Sequence, residues 1–438
     1  MAKWLRNAAC VAACALPVMT ANLAQAKPGQ SAAAAPAVNP VVQWNRNLLV
    51  IVRTPGAQPK TIHSTRSFAI LHSAIYDAVN SIDRKHAPYQ VSLADAPRNA
   101  SLEAAASAAG HEVLVALYPK FQPQLDAELQ QSLAEIPDGA GKAAGIAVGV
   151  TVADQILQLR SKDGSAASVL YVFGTAPGDY QSTPPNFPLQ PQLTQWPNVT
   201  PFALKSASQF RPGPPPALSS EEYADVFNEV KSLGIENSTT ATPDEALTGH
   251  FWNGNIQDYW NEITQTASLA HHLSTAKSAR LFALVNLSLA DSVIAFYDAK
   301  YTYNFWRPVT AIRSADTNIN PDTLADANWL PETVTTAPDP SYPGAHAVIS
   351  EAAAEVLRTF FGRDRFDFQV TSEVMPGTTR SFATLSAAAE EATLSRLFAG
   401  QHFRSDLTTG NRLGRDVADF VFDHFFGPIH GEGDSDSR

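Results

Sequence analysis

The sequence predicts an all-α protein built as two helical bundles. Apolar residues recur three to four positions apart through most of the chain, whereas strand patterns are sparse. A proline-dense stretch at 175–216 separates an N-terminal from a C-terminal run of helical patterns. Apolar residues make up 45% of the 438 positions, which is ample for a hydrophobic core and excludes a disordered chain.

The chain begins with the pattern of a secretory signal peptide at 1–26. A short basic start and an apolar run lead to a small-residue cleavage site, Ala24-Gln25-Ala26. Residues 27–40 are rich in Ala and Pro and predict a disordered leader. Cleavage would remove Cys10 and Cys14, the two cysteines of the chain, so thiol chemistry and cysteine metal sites are excluded from the mature protein. We expect a periplasmic or secreted protein.

Residues 41–216 are predicted to form an N-terminal helical region with a proline-rich strap. The strap at 175–216 is interpreted as a long ordered loop, because proline disrupts regular elements. Helical periodicity predicts five helices, at 41–52, 64–82, 102–118, 121–133 and 142–159.

Residues 217–430 are predicted to form a C-terminal helical domain that carries the functional site. Ser219 is the expected cap of its first helix, Gly362 ends a later one, and Gly427 and Pro428 end the last. The predicted helices are 221–233, 244–252, 256–270, 276–306, 348–361 and 407–426.

Composition narrows the classes of partner. A net charge of -11 without a basic tail argues against nucleic acid. After the signal, no segment has the roughly 18 uninterrupted apolar residues of a membrane helix, so no membrane insertion is expected. The sequence does not indicate an oligomeric state.

Three short blocks of anion-binding residues follow one another in the C-terminal half. A guanidinium offers a planar fork to a phosphate-like ion, a lysine adds a point charge, and a histidine can bond to the central atom. Three cations and two histidines in this order predict one oxyanion pocket. The blocks are Lys300-x6-Arg307-Pro308, then Pro343-Gly344-Ala345-His346, then Ser395-Arg396-x5-His402-x3-Asp406.

The spacing within the blocks has physical meaning. Lys300 and Arg307 would share one face of a helix, with the arginine at the helix end because proline follows it. By itself this pair more often marks a solvated basic face. Asp406, four residues after His402, could fix the tautomer of the ring, although a surface His-Asp pair is the alternative.

The same blocks resemble the signature K-x6-RP, PSGH, SR-x5-H-x3-D that vanadium-dependent haloperoxidases share with type 2 phosphatidic-acid phosphatases, over residues 295–425. The residues around these blocks are similar to those of secreted bacterial haloperoxidases. The resemblance implies a haloperoxidase-like fold, with His346 as acid/base group, His402 as ligand of the vanadium in vanadate, and Asp406 as its support. It implies that the vanadate cofactor is held by Lys300, Arg307, Gly344, Ala345, Arg396 and His402.

Two positions depart from the signature. Gly344 and Ala345 stand where the family has Ser-Gly, and loss of one hydroxyl bond to a charged ligand is worth roughly 1.5–3 kcal/mol, or about one to two decades of affinity. Asp339 stands where haloperoxidases tend to have Phe or His on the halide side, and a carboxylate there would repel halide. Asp339 could instead be a turn residue between Pro338 and Pro340.

Three functions therefore remain open at the level of sequence. The leading one is a vanadate-dependent haloperoxidase that oxidises halide with hydrogen peroxide. The first alternative is an acid phosphatase without vanadate, in which His402 attacks a phosphomonoester and His346 protonates the leaving alcohol. The second alternative is an exported, non-catalytic oxyanion-binding protein.

Overall fold

The computed structural model describes residues 39–429, which form 13 α-helices and one β-hairpin. Two short 3₁₀ turns lie at Pro119–Phe121 and Trp196–Asn198. The helices are α1 (Pro40–Arg53), α2 (Ser64–Asp83), α3 (Leu102–Leu117), α4 (Gln122–Ala134), α5 (Ala140–Arg160), α6 (Glu221–Leu233), α7 (Pro243–Phe251), α8 (Ile256–Ala270), α9 (Thr275–Tyr303), α10 (Pro308–Arg313), α11 (Ala345–Phe361), α12 (Leu385–Phe398) and α13 (Arg404–His424). The hairpin pairs β1 (Arg365–Thr371) with β2 (Thr379–Thr384) in antiparallel register.

The helices form two bundles that share α9. Helices α2, α3 and α5 pack on one another, and α2 and α3 also contact α9. Helices α11, α12 and α13 form the second group, in which α11 and α13 contact α9. Most of the 29 residues of α9 are buried, and apolar residues are found on all sides of the helix, as expected for a helix that is surrounded by protein. The all-α prediction is confirmed.

Two of the described helices, α5 and α9, are long and apolar enough to cross a membrane. In α9, 94% of the apolar window is buried within the protein, as in a core helix, whereas the corresponding value for α5 is 33%. The sequence expectation of no membrane insertion stays a prediction.

Helices α11 and α13 approach each other closely, and this contact joins the two ends that carry site residues. A Cβ atom on Gly410 would lie 2.8 Å from the Ala347 side chain, and one on Gly414 would lie 2.2 Å from the Val348 carbonyl oxygen. Glycine at both positions therefore lets the first turn of α11 lie directly against α13. A second apolar cluster around Trp306, Phe403 and Leu407 packs beside this junction.

The predicted helices agree with the structure, and several details are corrected. The predicted bounds of α6 and α8 are confirmed at both ends, and Gly362 ends α11 in a left-handed conformation, φ 64°. Ser219 is not the cap of α6, because Ser220 accepts the Tyr223 amide at 3.1 Å. The last helix begins at Arg404 and ends at His424 rather than at 426.

The helix predicted to reach residue 306 stops at Tyr303, where Asn304 takes a left-handed conformation, φ 48°. Lys300 and Arg307 therefore do not share one helix face, and Arg307 precedes the separate helix α10. The sequence reading also missed α12 and the β-hairpin.

The strap at 175–216 holds one 3₁₀ turn and is tied to the core by a buried carboxylate. Asp291 of α9 accepts the backbone N–H groups of Phe202, Ala203 and Leu204 at 2.6–2.7 Å. The predicted signal peptide lies outside the described residues, as does the leader apart from Asn39 and Pro40, and Pro40 already begins α1. The domain boundary at 216/217 stays a prediction.

Candidate active site

Four segments that are distant in the sequence meet at one buried pocket. They are the end of α9 with the junction to α10, the turn at 338–343, the start of α11, and the link between α12 and α13. Together they gather all the site residues predicted from the sequence: Lys300, Arg307, Gly344, Ala345, His346, Arg396, His402 and Asp406.

Lys300 and Arg307 are held mainly by main-chain carbonyl groups. Arg307 donates through Nε to the Asp339 carbonyl at 2.8 Å and through Nη1 to the Gln401 carbonyl at 3.0 Å. Lys300 is fully buried and donates to the Ser341 carbonyl at 3.1 Å and to the Pro340 carbonyl. Burial lowers the pKa of Lys300 to about 8, against the opposing effect of Asp339.

Asp339 turns its side chain into this group of cations. Its Oδ1 accepts from Arg307 Nη2 and lies 3.4 Å from Lys300 Nζ, and its Oδ2 accepts from Gln192 at 3.0 Å and Tyr297 at 3.3 Å. Burial by itself raises the pKa of Asp339, but Lys300 and Arg307 outweigh it and hold that pKa at about 2. Asp339 is thus a buried anion of the pocket as well as a turn residue.

The contacts of His402 define its tautomer. Its Nε2 lies 3.0 Å from Arg307 Nη1, and a guanidinium nitrogen can only donate, so Nε2 must be the acceptor and carry no proton. Its Nδ1 therefore carries the hydrogen and donates to Asp406 Oδ2 at 3.1 Å. Burial, followed by the charges of Arg307 and Lys300, lowers the pKa of His402 well below its usual value. The ring is neutral and turns a lone pair toward the cations.

Asp406 supports His402 from the third position of α13. Its Oδ2 also accepts from the Ser341 hydroxyl at 2.5 Å and from the Phe403 amide at 3.2 Å. Gly400, with φ 71°, turns the chain between α12 and His402. Burial raises the pKa of Asp406 to about 6 despite the hydrogen bond from Ser341.

Arg396 differs from the other two cations. It is 6% exposed, it donates to Asn253 Oδ1 at 3.0 Å, and its Nε has no hydrogen-bond partner among residues 39–429. Within the same residues no carboxylate lies within salt-bridge distance of it. Burial, together with Arg307, lowers the pKa of Arg396 to about 9. A buried cation without a counter-ion is costly unless a ligand supplies one.

His346 lies in the first turn of α11, beside the same pocket. Its Nε2 is 2.9 Å from the Trp252 carbonyl, which can only accept, so Nε2 carries the hydrogen and Nδ1 is the acceptor. Burial, followed by Arg396, lowers the pKa of His346 well below its usual value. The imidazole is therefore neutral near pH 7 and suited to accept a proton.

The start of α11 offers main-chain donors to the pocket. The Gly344 amide donates to the Asp406 carbonyl at 3.0 Å, whereas the amides of Ala345 and His346 have no protein acceptor among the described residues. A Cβ atom on Gly344 would lie 2.9 Å from Leu407 Cδ2. A serine at this position would therefore require the end of the Leu407 side chain to move.

Sequence reasoning missed several supporting residues. Ser341 bonds Asp406, Asn253 bonds Arg396, and the Gln401 carbonyl bonds Arg307, but none of them stands at a signature position. Gln401 lies next to His402, and that adjacency was the one available signal. Asn253 is 143 residues from Arg396, so its role follows from the fold and not from any local pattern.

Fold and site together define a helical protein in which three buried cations and two neutral histidines lie close together. Residues 280–431 match the family model described as the VCPO second helical-bundle domain. Vanadium chloroperoxidase from Curvularia inaequalis is 26% identical, and the match takes in 68% of this chain and 61% of that enzyme, less than two thirds of its length.

Solved structures of vanadium-dependent haloperoxidases have a similar fold. The crystal structure described as the first bacterial vanadium-dependent iodoperoxidase superposes with a TM-score of 0.74 at 27% identity, covering 88% of this chain and 96% of that one. A bacterial vanadium-dependent chloroperoxidase in its apo form has a TM-score of 0.62 at 14% identity, covering 82% and 92%, and supports the fold alone. The C-terminal part of the chain is therefore similar to the second helical-bundle domain of this family, and the fold is similar to that of the solved vanadium-dependent haloperoxidases.

Proposed function

We propose that the protein is a vanadate-dependent haloperoxidase, which converts hydrogen peroxide, halide and a proton into hypohalous acid and water. The observation that carries the proposal is the pairing of His402 with Arg396. His402 presents an unprotonated Nε2 fixed from behind by Asp406, and Arg396 is a buried cation whose Nε lacks a protein partner. A tetrahedral oxyanion can bond through its central atom to the lone pair of His402 and through its oxygens to the guanidinium of Arg396.

The residues present fit vanadate. Lys300, Arg307 and Arg396 would bind its oxygens, as would the free amides of Ala345 and His346, while His402 Nε2 would bind vanadium. Gly344 adds no hydroxyl. Bound vanadate would supply a centre that accepts peroxide and delivers oxygen to a halide ion.

The chain's own groups would orient the reactants and move protons. Asp406 keeps the hydrogen of His402 on Nδ1, so that Nε2 keeps its lone pair, which accepts from Arg307 here and would turn to the ligand on binding. His346 would take a proton from incoming hydrogen peroxide through Nδ1, because its Nε2–H is engaged by the Trp252 carbonyl. The cations are fixed before reaction, so charge that develops on oxygen meets donors that need no reorganisation.

The test is peroxide-dependent oxidation of iodide and bromide by the purified mature protein, with and without added orthovanadate. His402→Ala should abolish vanadate-dependent oxidation. His424→Ala, which alters an exposed histidine bonded to the Phe420 carbonyl, should retain it. No halide oxidation by the vanadate-loaded protein would refute the proposal.

One observation favours a phosphatase as the second candidate. The ionised Asp339 lies within the cation group, where it opposes any anion. A haloperoxidase must admit a halide ion in addition to the oxyanion, whereas a phosphatase admits the oxyanion alone and releases a neutral alcohol. In that case His402 Nε2 attacks phosphorus as the bond to the ester oxygen breaks, and the alcohol leaves with a proton from protonated His346. Water then attacks the phosphohistidine, returns a proton to His346 and releases phosphate. Hydrolysis of a phosphomonoester, lost in His402→Ala and inhibited by vanadate, would identify this activity. Oxyanion binding without either activity would identify a binding protein.

We further propose that the protein is exported after cleavage at residue 26. The basic start, apolar run and small-residue site of the sequence support this. N-terminal sequencing of the protein recovered outside the cytoplasm should begin at Lys27, and recovery of the intact chain from the cytoplasm would contradict export.

A further inference from the structure

The carboxylate of Asp339 is the feature of the pocket that the proposed function does not use. It is 3% exposed, and it lies between Lys300 and Arg307, the two cations nearest to it. Gln192 and Tyr297 hold its other oxygen from the opposite side. The side chain is thus fixed, and its negative charge lies against Lys300 and Arg307, which would otherwise be available to an oxyanion.

The two cations have main-chain partners in addition to this carboxylate. Arg307 keeps its bonds to the carbonyl groups of Asp339 and Gln401, and Lys300 keeps those to Pro340 and Ser341. Main-chain carbonyls therefore define the geometry, and they carry no net charge. What the Asp339 side chain adds is one negative charge close to both cations.

We propose that Asp339 is a built-in counter-anion that sets the charge preference of the oxyanion pocket. With Asp339 and Asp406 ionised and both histidines neutral, the three cations leave one net positive charge in the pocket. The carboxylate thereby weakens the binding of multiply charged oxyanions more than that of singly charged ones, and opposes any anionic substrate. This inference rests on the proposed oxyanion site and deepens it by naming a specificity-determining residue.

The direct test compares wild type with Asp339→Asn by isothermal calorimetry on the protein without vanadate. Asparagine has the shape of aspartate, and the Gln192 amide can rotate to meet it. Sulfate and perchlorate are suitable probes, because both are tetrahedral and their charges, two and one, do not change with pH. Orthovanadate and phosphate are measured alongside. Asp163→Asn serves as the matched control, since Asp163 is a buried carboxylate paired with other arginines, Arg66 and Arg160.

We expect Asp339→Asn to bind perchlorate about tenfold more tightly than wild type, and sulfate by roughly the square of that factor, because the removed repulsion scales with ligand charge. Asp163→Asn should leave both affinities unchanged. Unfolding curves verify that each variant is folded, and Asp339→Ser provides a smaller neutral side chain should asparagine prevent folding.

The outcomes separate the inference from the proposed function. If wild type binds oxyanions and the neutral variants bind them no more tightly, the carboxylate positions the cations and the inference is wrong. An equal gain for sulfate and perchlorate contradicts it too, because a gain of steric origin would not follow charge. If none of the proteins binds any of the four ions, the oxyanion site itself is refuted together with the inference.

Discussion

Replacing Asp406 by asparagine should separate oxyanion binding from stability. The Asp406 carboxylate accepts three hydrogen bonds on Oδ2, from His402, Ser341 and Phe403, whereas Oδ1 has no partner among the described residues. An asparagine can keep its oxygen at the first position, and its NH₂ group then lies where Oδ1 was. The change removes the charge behind His402 while preserving the shape of the side chain.

The expected change in stability is small because two effects oppose each other. Burial raises the pKa of Asp406 from 3.8 to about 6, so the ionised group costs the native state roughly 3 kcal/mol that asparagine does not. Against this, an unpaired buried NH₂ group costs about 1–3 kcal/mol, and the remaining bonds to a neutral oxygen are weaker. The free energy of unfolding should therefore change by less than about 2 kcal/mol.

Vanadate affinity should nevertheless fall by about 10–100-fold, as for other partners that orient a ligating histidine. Asp364→Asn is the matched control, because Asp364 also bonds the first turn of a helix, accepting from the Ser386 amide at 2.9 Å and the Ser386 hydroxyl at 2.5 Å. It should cost about 1 kcal/mol of stability and leave affinity unchanged. Calorimetric titration and urea unfolding measure both quantities. Wild-type affinity in Asp406→Asn would refute the role assigned to the carboxylate.

Three further predictions follow from the charges and the packing of the pocket. Arg396→Met should raise the free energy of unfolding by roughly 1–3 kcal/mol, because it removes a buried unpaired charge, yet lower vanadate affinity by about 30-fold or more; loss of stability with unchanged affinity would contradict this. Burial lowers the pKa of Lys300 to about 8, so calorimetry should show phosphate affinity of wild type falling from pH 7.5 to 9 as the amine loses its charge, whereas Lys300→Met should bind weakly at both values. Gly344→Ser should cost about 1–3 kcal/mol in urea unfolding without tightening vanadate binding, because Leu407 fills the space; a tenfold gain in affinity would show that Leu407 yields.

The sequence predicted the structure best where a feature depends on residues that are close together in the chain. The bounds of α6 and α8 follow from apolar periodicity, and the end of α11 at Gly362 follows from the need for a left-handed residue. The predicted end of α9 was wrong because the helix stops at Asn304, and asparagine is a weaker stop signal in a sequence than glycine or proline. β1 was missed although Phe366, Phe368 and Val370 alternate along it, which is a strand pattern.

Within the site, the sequence indicated which residues meet but not their contacts. The order and spacing of the three blocks were enough to gather Lys300, Arg307 and Arg396. Which cation has a counter-ion depends on how the turn at 338–343 folds over the end of α9, and this involves residues from three segments. No local pattern carries that information, so Asp339 could be recognised from the sequence only as a departure.

The distribution of counter-ions explains how the pocket can be stable without ligand and still bind one. Arg307 and Lys300 are compensated by Asp339 and by carbonyl groups, so the native state tolerates their burial. Arg396 is compensated by one amide oxygen, from Asn253, and its Nε is left unpaired. An oxyanion that reaches Arg396 therefore removes a cost that the free protein bears, whereas at Arg307 it must compete with Asp339. The main gain in binding free energy should accordingly come from Arg396 and His402, and the other two cations should chiefly set the charge that the pocket accepts.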